Sequence, residues 1–178
     1  MHLQPFVERL IKLTRRIRRV YVNLSARTAF SAELGTCWNG MAEEACQTVT
    51  LLEQSAQFLH FMACAPDALE AALTNIETQL AIAEAAAQQA DLSADEALRH
   101  TLSLENSELK AVVKAWCQGF QPSLEVLLQD RIPEEERQLR RLVDTVQTCS
   151  TDAALHDRAT AMWSVYQHQQ HQKTSGVD

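Results

Sequence analysis

The sequence predicts an all-α protein folded as one helical bundle, and three observations carry that prediction. Only four glycines and four prolines occur in 178 residues, too few turn formers for a many-stranded sheet. Ala, Leu, Gln and Glu, all good helix formers, are plentiful. Apolar residues recur at spacings of three and four along most of the chain, the period of a helix with one buried face. With 46% hydrophobic and 22% charged residues, a chain of this length can bury a proper core as a single domain, here residues 1–167.

The elements follow in order. Phe6, Leu10, Leu13, Ile17, Tyr21 and Leu24 form one stripe and predict a first helix over residues 5–32, with Pro5 suited to its first turn. A break at Gly35 leads into a second helix, 36–64, with Trp38, Met41, Ala45, Thr48, Leu52 and Leu59 inward and Pro66 closing it. Leu69, Leu73, Ile76 and Leu80 give an Ala-rich third helix over 67–90. Ser93-Ala94-Asp95-Glu96 is a capping-box signature and starts a fourth, which runs to Gln118 before Gly119. A short helical segment is expected over 122–128 and a longer helix over 133–148, with Pro133 in its first turn. Thr151 or Asp152 caps a last helix through Trp163 and Tyr166, and a polar tail from His168 to Asp178 is expected to fray.

Composition also excludes functions. A net charge of −7 argues against a dedicated nucleic-acid binder, whose footprint is basic. Five cysteines, Cys37, Cys46, Cys64, Cys117 and Cys149, are widely spaced with no CxxC, which suits reduced thiols in a cytoplasmic protein. Glu8, Arg9, Lys12, Arg15 and Arg16 interrupt any secretory h-region. No apolar run reaches the length of a transmembrane segment.

Inward carboxylates are the first candidates for chemistry. On the fourth helix Leu98, Thr101, Leu102, Leu109, Val112 and Trp116 form the stripe, and Glu105 falls within roughly 20° of its centre. A carboxylate there must be paired, protonated or metal-bound. If it were a relic without a partner, Glu105→Leu would be neutral or stabilising. On the next helix Glu135 lies near the middle of the stripe formed by Ile132, Leu139, Leu142 and Val146, and Glu136 on its flank. Acids at a helix start also favour the first turn on their own account.

These motifs resemble the ferritin-like superfamily, in its rubrerythrin-like branch. Its di-iron bundles place a Glu on each of two helices and a Glu-x-x-His on each of the other two, all inward. Met41-Ala42-Glu43-Glu44-Ala45-Cys46-Gln47-Thr48, with Leu51-Leu52 after it, looks like the second-helix stretch. Ser93 through Glu105 looks like the third bundle helix, and Pro133-Glu134-Glu135-Glu136-Arg137-Gln138-Leu139 like the fourth. The resemblance implies a four-helix bundle with a crossover helix and a C-terminal extra helix.

The departures bear on function. Two turns before Tyr21, the expected first-helix Glu is Thr14; the expected Glu-x-x-His positions of the second helix hold Ala45 and Thr48. Glu44 and Gln47 share that spacing but point roughly 90° or more off the stripe. Glu136 is followed three residues later by Leu139, and Glu135 by Gln138. A vestigial centre of Glu105 with Glu136 or Glu135 cannot hold two irons, which need more carboxylates and imidazoles. No cofactor is therefore expected, iron being the alternative. His60, His100 and His156 stand singly, and His168 with His171 lie in the polar tail.

The first helix carries a basic face of Arg9, Lys12, Arg15, Arg16, Arg18 and Arg19, either a solvated surface or a docking patch for an acidic partner or an anionic membrane surface; the acidic remainder of the chain favours a protein partner or a homodimer over a membrane. Three readings follow: a non-catalytic interaction or regulatory module, a di-iron oxidoreductase with atypical ligands, and a binder of a small apolar ligand in the vacated cavity. The first is the one the residues favour.

Overall fold

The computed structural model describes residues 3–56, 67–107, 109, 112–113 and 132–174. Six helices run through them, α1 (Leu3–Ser25), α2 (Ala32–Ala56), α3 (Asp67–Ala87), α4 (Ala94–Glu105), α5 (Ile132–Cys149) and α6 (Ala153–Thr174), with no strand among the described residues. The chain is all-α, as its periodicity predicts.

The stripe of α1 is inward throughout: Phe6, Leu10, Leu13, Ile17, Tyr21 and Leu24 are all buried, with Val7 and Val20 widening it. The helix stops at Ser25 rather than Ala32. Its end tightens through the Arg27 N–H to Leu24 O bond at 3.2 Å, while the Arg27 guanidinium turns away to the carbonyls of Ala87 and Ala90 at 3.3 and 2.9 Å. Next, α2 begins four residues before the predicted start. The Ser31 hydroxyl accepts the Leu34 N–H at 3.3 Å, so the cap is Ser31 and Gly35 lies inside the first turn. A β-carbon at Gly35 would meet only Ser25 O, at 3.5 Å, and glycine is not required there. The predicted end at Cys64, His60, and Pro66 lie outside the described residues, as do Cys117, Trp116 and the segment 122–128.

Both halves of the capping box at Ser93 form: its hydroxyl accepts from the Glu96 N–H, and the Glu96 carboxylate accepts from the Ser93 N–H. The α4 element ends at Glu105, well before Gln118, with Asn106 as its C-cap. Pro133 sits in the first turn of α5, where a missing N–H costs nothing. Asp152 starts α6 by accepting the Ala154 N–H at 2.9 Å, and the helical backbone extends past His168 to Thr174.

Cross-helix pairs fix the directions. Arg15 meets Glu53 while Ser25 lies beside Gly35, so α1 and α2 are antiparallel. Arg9 pairs with Glu77 and Arg16 with Glu84; both partners advance by seven, so α1 and α3 run parallel. Ser31 faces Cys149 and Gly40 faces Gln138, making α2 and α5 antiparallel. Arg99–Asp152 and Ser103–Arg158 make α4 and α6 parallel, and Gln147–Thr160 with Arg140 over Trp163 makes α5 and α6 antiparallel. Thus α1, α3 and α5 point one way and α2, α4 and α6 the other. Closest neighbours form a ring in the order α3, α1, α2, α5, α6, α4 and back to α3, around one continuous apolar core. Among the described residues no helix is long and apolar enough to cross a membrane.

Candidate functional site

Where α1, α2, α4 and α5 face one another, the core contains polar side chains, and these are the candidates for chemistry. Tyr21 and Thr14, seven residues apart, stand on one buried face of α1 as two helical turns require. Thr14, 2% exposed, is satisfied by its own helix, donating its hydroxyl to Leu10 O at 2.9 Å. Tyr21, 1% exposed, reaches across the bundle and donates to Glu105 Oε1 at 2.7 Å. Glu105, half-buried at the end of α4, is therefore neither alone nor a relic without a partner. Burial, then the Glu105 charge, hold the Tyr21 phenol well above its ordinary range of ionisation. It stays a neutral donor, which suits it to a carboxylate acceptor.

A second bridge lies one layer on. The Trp38 indole, fully buried, donates to Thr101 Oγ1 at 3.0 Å, and the Thr101 hydroxyl in turn donates a hydrogen bond to Ala97 O at 2.9 Å. Phe30 covers the indole at 5.1 Å with the rings tilted by 56°. The residue preceding Trp38, Cys37, is pushed up to about 11, chiefly by burial, with the Thr145 hydrogen bond opposing and the Glu105 charge adding. A thiol held neutral at physiological pH is a packing group rather than a nucleophile.

The positions singled out on α2 and α5 divide differently. Ala45 is buried, Thr48 is half-buried and donates to Glu44 O at 3.0 Å, and Gln47 is exposed. Glu44 is half-buried, and its charge adds a minor part to the raised ionisation of Tyr21. Of the acidic triplet, Glu136 is exposed and Glu134 and Glu135 are half-buried. Glu136 is thus on the outside and does not join Glu105. Glu134 accepts Gln138 Nε2 at 2.8 Å and pairs with Arg137 at 2.6 Å, the behaviour of a first-turn acid. The inward row of α5 is Gln138, Leu139, Leu142, Thr145 and Val146. Gln138 packs so closely on α2 that a β-carbon at Gly40 would stand 2.6 Å from its Oε1. Among the described residues no group of three or more His, Cys, Asp or Glu side chains is arranged to hold a metal ion.

Sequence reasoning identifies Tyr21, Trp38, Thr101 and Glu105 as inward but not their pairing. The available signal is that a buried Tyr or Trp needs a partner for its polar tip.

The basic face of α1 is partly consumed inside the molecule. Arg9 grips Glu77 through two nitrogens at 2.7 and 2.6 Å and reaches Thr74 at 3.2 Å; Arg16 grips Glu84 at 2.9 and 2.6 Å. Both carboxyls are held below their ordinary range, first by these hydrogen bonds. Arg15 pairs with Glu53 at the surface, and Lys12, Arg18 and Arg19 are exposed. A groove of about 160 Å³ lies between α4 and α6, lined by Leu102, Asn106, Arg158, Ala161, Met162 and Val165.

The chain matches no protein-family model, no curated protein and no solved structure.

Proposed function

We propose that this chain is a ferritin-like bundle of α1, α2, α4 and α5, with α3 as its crossover helix and α6 as an extra helix, and that it serves as a non-catalytic interaction or regulatory module. The directions of the helices support the architecture: α3 carries the chain back along α1, so that α2 and α4 run the same way, as one long crossover requires. The observation that carries the functional reading is what occupies the ligand positions. Thr14 is bonded to its own helix, Ala45 and Leu139 pack in the core, Glu136 is exposed, and Glu105 is engaged by Tyr21. Such a set lacks the imidazoles and carboxylates that neutralise and coordinate a pair of ferrous ions.

Elemental analysis after anaerobic loading with Fe(II), re-oxidation and desalting tests this reading. Iron far below one atom per chain is the expected result. About two irons per chain with an oxo-bridge absorption band would overturn it in favour of a di-iron oxidoreductase.

A further inference from the structure

Charge is divided unevenly in this protein. Residues 3–25 hold six cations against the single acid Glu8, a net +5, which leaves −12 for the remainder of a chain of net −7. The apolar side of the helix is wholly committed to the core, so its outer surface offers charge and no large apolar residue except Val22, 42% exposed. Membrane-surface helices need the opposite arrangement, with the apolar side available to the lipid.

The structure also shows how this helix recognises carboxylates. Arg9 and Arg16, seven residues apart, take Glu77 and Glu84, seven residues apart on a parallel helix, each through a two-nitrogen fork. A second row with the same spacing, Lys12 and Arg19, runs about 60° further round the cylinder, with Arg15 beside it. All three are exposed. Lys12 makes no ion pair among the described residues, and Arg19 adds only its charge to Glu84. Like charges three and four apart along this face repel one another; Glu8, four residues before Lys12, and Glu53, paired with Arg15, offset part of that repulsion, and carboxylates from outside would relieve the rest.

We propose that the row Lys12 and Arg19, flanked by the Arg15–Glu53 pair, is a docking surface for an acidic helix of a partner protein that presents carboxylates seven residues apart, laid along α1 beside α3 as α3 itself is laid. The proposal rests on the reading of the chain as an interaction module and supplies the chemistry of its partner. An extended polyanion is a poorer fit, because beyond this one helix it meets the acidic remainder.

The test uses the full chain and a fluorescein-labelled, Ala-rich helical peptide of about 20 residues with glutamates at seven-residue intervals. Its partner control has the same composition with the glutamates scrambled. Anisotropy titrations at low and high salt should show binding of the ordered peptide that weakens steeply with salt and exceeds that of the scrambled one. Reversal by K12E and R19E together should weaken it at least about tenfold, with an unchanged circular dichroism spectrum, since both side chains are at the surface; K12Q with R19Q, which adds no acid beside Glu84, should weaken it in the same direction. Equal binding of the two peptides, no effect of the reversal, or capture of phosphatidylserine vesicles without peptide binding would each overturn the proposal. Iron content is measured separately, so a metal-loaded chain sinks the functional reading, whereas a metal-free chain that ignores the peptide sinks only this one.

Discussion

Replacing Tyr21 with Phe removes one oxygen from the middle of the bundle and leaves the shape of the core intact. The phenol is 1% exposed and donates at 2.7 Å to a carboxylate; a hydrogen bond to a charged group contributes roughly 1.5–3 kcal/mol. Because Glu105 is only half-buried, water can reach it once the phenol is gone, and the lower end applies, about 1.5 kcal/mol. For a chain of this size that corresponds to a fall of about 3–6 °C in Tm. Glu105→Leu strands the buried hydroxyl instead and costs about 1–3 kcal/mol, against the neutral outcome expected of a partnerless relic. In Tyr21→Phe/Glu105→Leu neither group remains to be satisfied, so the double variant should be at least about 1 kcal/mol more stable than the sum of the singles implies. Urea unfolding followed by circular dichroism and tryptophan fluorescence measures all three. Additivity within about 0.5 kcal/mol would refute the coupling and with it the structural role assigned to the pair. There is also a pH signature. The folded-state pKa of Tyr21 is raised above its ordinary value of 10.0, so this contribution is fully present below that pH and is lost as pH rises above it. Tyr21→Phe should flatten the alkaline loss of stability.

Other consequences can be measured in the same way. Ser93→Ala removes one half of the capping box and should cost about 1 kcal/mol in urea unfolding. Gly40→Ala forces a methyl group against Gln138, whose amide is held by Glu134; a loss of about 1 kcal/mol is expected despite the better helix propensity of Ala, and Gln138→Ala in the same chain should restore it. Since Glu77 and Glu84 are held below their ordinary pKa by Arg9 and Arg16, their contribution is present above the unfolded carboxylate range and is lost as pH falls through the depressed values. The variant Glu77→Gln/Glu84→Gln should therefore lose stability at neutral pH and show a shallower acid limb in unfolding titrations. Thiol labelling of the folded protein at mildly alkaline pH should modify exposed Cys46 and spare Cys37, which is buried and held protonated; mass spectrometry of the peptides distinguishes them.

Much of the architecture is local and therefore readable from the chain. The stripe of α1, the capping box at Ser93 and the place of Pro133 each depend on residues within a few positions of one another, and each forms as its spacing predicts. Boundaries were harder where a short polar side chain decides them. Ser31 starts α2 early and makes Gly35 an interior residue, a choice that breaker statistics miss. The centre was legible only by halves. Periodicity places Glu105 inward, but Tyr21 is 84 positions away, and nothing in a one-dimensional pattern links a donor to an acceptor at that distance. The acidic triplet shows the limit from the other direction. Glu136 sits within one residue of the inward row, yet the row turns on Gln138 and Leu139 and leaves it at the surface.

The two polar bridges tie the first third of the chain to α4. Trp38 spans 63 positions to Thr101 and Tyr21 spans 84 to Glu105. Until α4 docks, an indole and a phenol stand on α1 and α2 with only water to satisfy them, and burying them early would be penalised. That penalty discourages the α1–α2 hairpin from collapsing onto itself or onto the wrong helix during folding. It also makes the Trp38 environment a timer: its emission should reach the native value only when α4 arrives, later than the helical signal itself.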